Sequence, residues 1–99
     1  MPLDWAEVTK RYAGGAKIPT VAGGRSFEVA GVDDEAVYIR TPLWSDALRR
    51  EHLEKAVDQL DQGGLSRRAG QFVELYRTEV ADVRPTSVAH VLKDLGFLE

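Results

Sequence analysis

Apolar and polar residues alternate over two stretches of the chain, residues 26–32 and 36–40. The positions on one side of this alternation are Phe27, Val29, Gly31, Val37 and Ile39. A period of two residues is typical of a β-strand with one buried face. The acidic run Asp-Asp-Glu at residues 33–35 lies between the two stretches. The pattern therefore predicts a β-hairpin with its turn at the acidic run.

A helical pattern follows this hairpin, with apolar residues at i, i+3, i+4 and i+7. These residues are Leu53, Ala56, Val57 and Leu60. Leu48 falls off the resulting stripe, because the five residues up to Leu53 correspond to about 500° of helical rotation. We therefore expect a third short strand or an extended turn at residues 47–49. The helix should start near Arg50 or Glu51 and end at Gly63.

Three more helices are predicted, one before the hairpin and two after the helix that ends at Gly63. The first covers residues 4–12, where Asp4 is a suitable N-cap and Trp5 and Tyr12 face inward. The third helix should be capped by Ser66, and its apolar positions are Ala69, Phe72, Val73, Tyr76 and Val80. The last helix follows the break at Pro85, with Thr86 or Ser87 as its cap, and it ends at Gly96 with Phe97 and Leu98 folded back as an apolar tail.

An edge strand is predicted at residues 17–21, because Pro19 lacks the N–H that a central strand needs. Residues 22–24 would form the turn into the next strand. The predicted order is α-β-β-β(-β)-α-α-α. The fold class is α+β, with a small antiparallel sheet of three or four short strands packed against about four helices. Ninety-nine residues suit a single domain spanning residues 1–99.

Composition narrows the functional classes. The chain has no cysteine, which removes disulfides and thiolate chemistry and fits a reducing compartment. No apolar run approaches the roughly 18 residues that a membrane span needs, and the N-terminus lacks the pattern of a signal peptide. We expect a bacterial-type cytoplasmic protein without membrane association. The net charge of −3 gives no global attraction to nucleic acid.

No motif in the sequence indicates catalysis or cofactor binding. The glycine pair before Lys17 lacks the spacing of a phosphate-binding loop, and the acidic run at residues 33–35 lacks the spaced ligands of a calcium loop. The chain has two histidines, His52 and His90. His90 and Asp94 stand four residues apart on one helical face, where they could share a metal or a proton. Two separate histidines without cysteine do not form a recognisable zinc set. We expect no metal, no cofactor and no enzymatic activity.

The main functional hypothesis is a non-catalytic interaction module that binds a protein partner or associates with itself. Its candidate contact residues are Tyr38, Arg40, Trp44 and Phe97. Tryptophan, tyrosine and arginine are over-represented among the residues that dominate binding energy at interfaces. The alternative for each of the four residues is a structural role, in which the side chain completes the hydrophobic core or covers its edge.

An alternative hypothesis is a nucleic-acid-binding accessory domain, because nine of the thirteen basic residues are arginine. The candidates are Arg25, Arg40, Arg49, Arg50, Arg67 and Arg68. Arginine makes planar, bidentate contacts to phosphate. This hypothesis requires the six side chains to converge on one face of the molecule. Composition bias explains the arginine excess equally well.

Overall fold

The computed structural model describes residues 2–18 and 27–99. Over these ranges the chain forms four helices and four strands in the order α-β-β-β-β-α-α-α, which confirms the predicted α+β class. The elements are α1 (Trp5–Tyr12), β1 (Ala16–Lys17), β2 (Glu28–Val32), β3 (Ala36–Arg40), β4 (Ser45–Arg49), α2 (Arg50–Gln62), α3 (Ala69–Glu79) and α4 (Pro85–Asp94). The predictions for residues 19–26, which include the proline of the edge strand and the turn at 22–24, lie outside the described residues.

The four strands form one antiparallel sheet in the order β1-β2-β3-β4. The predicted alternation is confirmed in β3, where Val37 and Ile39 are buried and Tyr38 and Arg40 are exposed. In β2 the alternation breaks, because the register shifts between Val29 and Gly31. The buried side of the sheet packs against the helices in a single hydrophobic cluster.

The start of helix α1 is fixed by polar contacts. The carboxylate of Asp4 accepts a hydrogen bond from the N–H of Ala6 at 3.0 Å, as a helix N-cap does. Trp5 and Tyr12 are both buried, as predicted. The indole Nε1 of Trp5 donates to the carbonyl oxygen of Asp33 at 2.8 Å, which ties the start of α1 to the turn of the hairpin.

The predicted strand before α2 is confirmed, and it begins two residues earlier than expected, at Ser45. It pairs with β3 along its whole length, from Ser45 opposite Arg40 to Arg49 opposite Ala36. The next residue, Arg50, opens α2, as the apolar stripe of that helix indicates. The helix ends at Gly63, which adopts the left-handed conformation (φ 83°) that glycine tolerates best.

The predicted caps of the last two helices are wrong. Helix α3 begins at Ala69 rather than directly after Ser66, whose hydroxyl accepts a hydrogen bond from the N–H of Arg68 at 3.1 Å. Helix α4 begins at Pro85, before the predicted caps Thr86 and Ser87. Proline suits the first helical position, because the N–H that it lacks would have no partner there.

Candidate interaction groove

Two loops of the fold enclose a groove of about 880 Å³. One loop joins β3 to β4 and spans residues 41–44, and the other leads into α4 and spans residues 82–84. The first turn of α4 and the buried rings beside it complete the floor. The lining residues are Phe27, Thr41, Pro42, Leu43, Trp44, Arg77, Asp82, Val83, Arg84, Pro85, Thr86, Ser87 and His90.

The first loop is a tight turn closed by Thr41. The N–H of Thr41 donates to the carbonyl oxygen of Trp44 at 2.8 Å. The Thr41 hydroxyl oxygen in turn accepts hydrogen bonds from the N–H groups of Leu43 and Trp44, each at 3.3 Å. This turn places Leu43 at the tip, where 85% of the residue is exposed. Across the groove, Val83 is 50% exposed.

Arg84 links the two loops from a conformation that side-chain-bearing residues rarely adopt. Its backbone is left-handed (φ 50°, ψ 46°), and Pro85 follows it. The guanidinium carbon lies 4.0 Å from the centre of the Trp44 ring, within the range of a cation–π contact. The Nε–H donates to the Oδ2 oxygen of Asp46 at 2.8 Å. Such strained backbones persist where the surrounding contacts hold them, and they cluster at functional sites.

Asp46 also satisfies a backbone group at the free edge of the sheet. Its Oδ1 oxygen accepts the N–H of Ala47 at 2.8 Å. In an antiparallel strand the N–H groups point alternately toward and away from the neighbour. Because the N–H of Arg50 donates to Glu35 of the hairpin at 2.8 Å, the N–H of Ala47 points outward. Hydrogen bonds from Arg84 and then from Ala47 hold the pKa of Asp46 below its ordinary value.

The floor of the groove contains two polar residues on the first turns of α4. Ser87 and His90 are 6% and 8% exposed, respectively. The His90 ring meets Phe27 edge-on, with the ring centres 5.0 Å apart. Burial, and to a smaller extent the charge of Lys93, lowers the pKa of His90. His90 is therefore held as the neutral imidazole at neutral pH.

Asp94, which stands four residues after His90 on α4, makes its described hydrogen bonds to α1. Asp94 accepts hydrogen bonds from the Tyr12 hydroxyl at 2.6 Å and from Arg11 Nε at 3.0 Å, which joins α4 to α1. Burial acts to raise the pKa of Asp94, but the hydrogen bonds from Arg11 and Tyr12 outweigh it, and the net shift is downward. Within residues 2–18 and 27–99, no three His, Asp or Glu side chains gather in a way that could hold a metal ion.

The structure separates the four predicted partner-binding residues. Trp44 lies in the groove. Tyr38 and Arg40 lie on the outer side of the sheet, where the Tyr38 hydroxyl donates to Asp33 at 2.5 Å. Phe97 is half-buried and packs against the core near the C-terminus. Of the four, only Trp44 lines the groove.

The arginines of the nucleic-acid hypothesis lie on different elements. Arg25 lies outside the described residues. Four others have a carboxylate within 4 Å, in the pairs Arg40–Glu28, Arg49–Glu51, Arg50–Glu54 and Arg67–Asp61. Arg68 is exposed at the start of α3. Arg40 and Arg49 stand at opposite ends of the β3–β4 pair, so they cannot act together on one phosphate.

Sequence reasoning missed most of the groove. Leu43, Val83 and Arg84 carry no periodic signal, and Ser87 was interpreted as a helix cap. Pro42 and Pro85 indicate that both segments are loops. Nothing in the sequence indicates that the two loops face each other.

Comparison of the chain with models of protein families, with curated proteins and with solved structures found no match. None of the helices among the described residues has the length and apolar character needed to cross a bilayer.

Proposed function

We propose that this chain is a non-catalytic interaction module that binds an apolar segment of a protein partner in the groove between residues 41–44 and 82–87. The observation that carries this proposal is the pair of exposed apolar side chains on opposite rims. Leu43 and Val83 are 85% and 50% exposed. The indole of Trp44 lines the same groove, where it is half-buried and has the guanidinium of Arg84 over its ring.

The composition of the groove favours a protein segment as its occupant. Tryptophan and arginine are enriched among the residues that dominate binding energy, and such residues tend to lie in a pocket surrounded by weaker contacts. The apolar rim residues would exclude water around the indole. The charge of Arg84 is already matched by Asp46 at 2.8 Å, so the groove does not present an unpaired cation there. Burial of apolar surface is then the main source of affinity.

Self-association through the free edge of the sheet is less well supported. An exposed edge strand pairs with another chain through its outward N–H and C=O groups. The carboxylate of Asp46 already occupies the outward N–H of Ala47 in β4. Charged side chains placed at an edge in this way commonly prevent edge-to-edge pairing.

The proposal is tested by selecting peptides from a random display library against the full chain and against two rim variants, Leu43→Ser and Val83→Ser. Both side chains are exposed, so the variants should fold normally. Leu75→Ser is the matched control, because Leu75 is 39% exposed on α3 and does not line the groove. Selected peptides should bind the wild-type chain and the control with equal affinity, and should bind each rim variant at least about tenfold more weakly, a loss of 1.4 kcal/mol.

Two results would contradict the proposal. The first is a set of selected peptides that bind the rim variants as tightly as the wild type. The second is tight binding of labelled random-sequence DNA or RNA, measured by fluorescence anisotropy, with a fall of about tenfold or more between 50 and 200 mM salt. That result would favour the arginine hypothesis instead.

A further inference from the structure

We propose that a second cavity, beside β4, binds a small neutral molecule that accepts a hydrogen bond from the hydroxyl of Tyr76. The cavity has a volume of about 390 Å³. Pockets for small molecules span roughly 300–1,000 Å³, so this cavity is large enough for such a ligand. Its lining residues are Asp46, Ala47, Leu48, Arg49, His52, Tyr76, Val83 and Val88. Among them only Val83 also lines the interaction groove, so the two sites are largely separate.

The hydroxyl of Tyr76 is the observation that indicates a ligand. The residue is fully buried, and its oxygen has no hydrogen-bond partner among the described residues. No other buried side-chain nitrogen or oxygen atom in residues 2–18 and 27–99 lacks a partner in this way. Buried polar groups normally have a partner, since a donor that leaves water without gaining an acceptor lowers the stability of the fold. A phenylalanine would fill the same space without this loss, so stability does not explain the hydroxyl.

Tyr76 reaches the cavity from α3, whereas the other lining residues belong to β4, to the start of α2, to the loop before α4 and to α4. Its ring packs against that of Phe72, with the ring centres 5.6 Å apart, which holds it in place. The carbonyl oxygen of Tyr76 accepts the N–H groups of Val80 and Ala81 at 2.9 and 3.0 Å. The backbone of the residue is therefore satisfied, and the hydroxyl is the group that a ligand would bind.

The lining of the cavity favours a neutral ligand. Four of the eight lining residues are apolar, and they favour an apolar body. The carboxylate of Asp46 and the guanidinium of Arg49 are already matched, by Arg84 at 2.8 Å and by Glu51 at 3.3 Å. A charged ligand would therefore lose its hydration beside apolar side chains while both of these charges stay matched by others.

The hydroxyl also determines which polar group the ligand carries. Burial raises the pKa of Tyr76 to about 12, so the phenol keeps its proton and acts as a donor at neutral pH. The ligand must therefore supply an acceptor, and a carbonyl oxygen is the acceptor that bears no charge and has two lone pairs. The chemical class that fits the cavity is a small apolar molecule with one ketone, aldehyde or amide oxygen.

The test compares acetophenone with α-methylstyrene, two probes of the same shape that differ only in a carbonyl oxygen against a CH₂ group. Binding is followed through the amide chemical shifts of the ¹⁵N-labelled full chain. Acetophenone should shift the amides of Ala47, Leu48 and Val88, which line the cavity. In Tyr76→Phe, the ratio of the acetophenone affinity to the α-methylstyrene affinity should fall about fivefold, since one buried hydrogen bond is lost with the first probe alone.

Tyr12→Phe is the matched control, because Tyr12 is also fully buried but donates to Asp94 and does not line the cavity. The affinity ratio should stay unchanged in this control. It should also stay unchanged in Leu43→Ser, which alters the groove alone, so the peptide selection decides the proposed function independently.

Three results would overturn the proposal. The first is an affinity ratio that Tyr76→Phe leaves unchanged or that Tyr12→Phe lowers equally. The second is an absence of shifts at the amides of Ala47, Leu48 and Val88 when acetophenone is added. The third is a clear loss of stability in Tyr76→Phe, measured in urea without any probe, because the hydroxyl would then have a partner within the fold itself.

Discussion

The two fully buried tyrosines differ in how their hydroxyl groups are satisfied. The Tyr12 hydroxyl donates to Asp94 at 2.6 Å, whereas the Tyr76 hydroxyl has no hydrogen-bond partner among the described residues. Burial raises the pKa of Tyr76 to about 12, which keeps the phenol protonated across the neutral range. A buried donor without an acceptor loses its bonds to water and gains none in return. The aromatic ring of Tyr76 therefore stabilises the fold, while its oxygen does not.

This difference predicts opposite results for the same substitution. Tyr76→Phe should be at least as stable as the wild type and up to about 1 kcal/mol more stable, because it removes an unsatisfied polar group. Tyr12→Phe should be about 1–2 kcal/mol less stable, because it removes one of the two hydrogen bonds that the Asp94 carboxylate accepts and leaves only the bond from Arg11. Urea denaturation measures both values. A clear loss of stability in Tyr76→Phe would show that its hydroxyl has a partner in solution.

The backbone conformation and the contacts of Arg84 could not be predicted from the sequence. An arginine before a proline is expected in an extended conformation, because the proline ring disfavours helical backbone angles at the preceding residue. The chain instead places Arg84 in the left-handed region. Its contacts with Trp44 and Asp46 bridge 40 and 38 residues of sequence, respectively. Contacts over such distances arise from tertiary packing, which no local pattern describes.

Among the helices and strands, the predictions that rest on the periodicity of apolar residues were confirmed. The strands around residues 33–35, the short strand before α2 and the start of α2 follow from the change of period from two to 3.6. The predicted caps at Ser66, Thr86 and Ser87 were wrong, because capping propensity ignores competing roles. Ser66 bonds to the N–H of Arg68 and to Gln71, and α4 starts at Pro85, before either of its predicted caps. The groove was missed because both of its rims are aperiodic loops.

Asp46 lies at the free edge of β4, and its removal should affect self-association through that edge. Asp46→Ala removes the acceptor of the outward Ala47 N–H and the partner of Arg84. The edge then offers an unoccupied donor for pairing with a second chain. We expect the variant to self-associate more strongly than the wild type with increasing concentration, as measured by light scattering. The loss of the exposed ion pair should lower stability by about 0.2–1 kcal/mol.

Two matched variants separate this effect from a simple change of charge. Asp46→Asn keeps an oxygen that can accept the Ala47 N–H, so it should remain as monodisperse as the wild type. Asp58→Ala makes the same change of charge on the exposed side of α2. Equal self-association of Asp46→Ala and Asp58→Ala would show that net charge, and not the strand edge, controls association.

Across the described residues, most arginines pair with nearby carboxylates and do not combine into one extended positive surface. The structure describes eight of the nine arginines, and seven of these eight have a carboxylate oxygen within 4 Å. Exposed pairs of this kind contribute little to stability individually. They also leave little unmatched positive charge for a polyanion. The global stability of the fold therefore depends mainly on the apolar cluster and on the few ionisable groups that are buried within it.

His90 is the buried ionisable group that titrates closest to neutral pH. Burial lowers its pKa in the folded state below the ordinary value of 6.5, whereas in the unfolded chain it takes up a proton near that value. Below pH 6.5 the unfolded state therefore binds more protons than the folded state, and stability falls as the pH falls. The contribution of His90 is fully present above pH 6.5 and is lost between that value and the lower folded pKa.

We therefore expect the free energy of unfolding in urea to decrease from pH 7.5 to pH 5.5. His90→Gln should flatten this dependence, because glutamine has no proton to gain. Asp46 and Asp94, whose pKa values are lowered, act in a separate window, since their contribution is lost only as the pH falls below about 4. If His90→Gln keeps the full slope between pH 7.5 and 5.5, another group controls it. If the slope disappears, the protonation of the buried His90 ring controls the stability of the fold over this pH range.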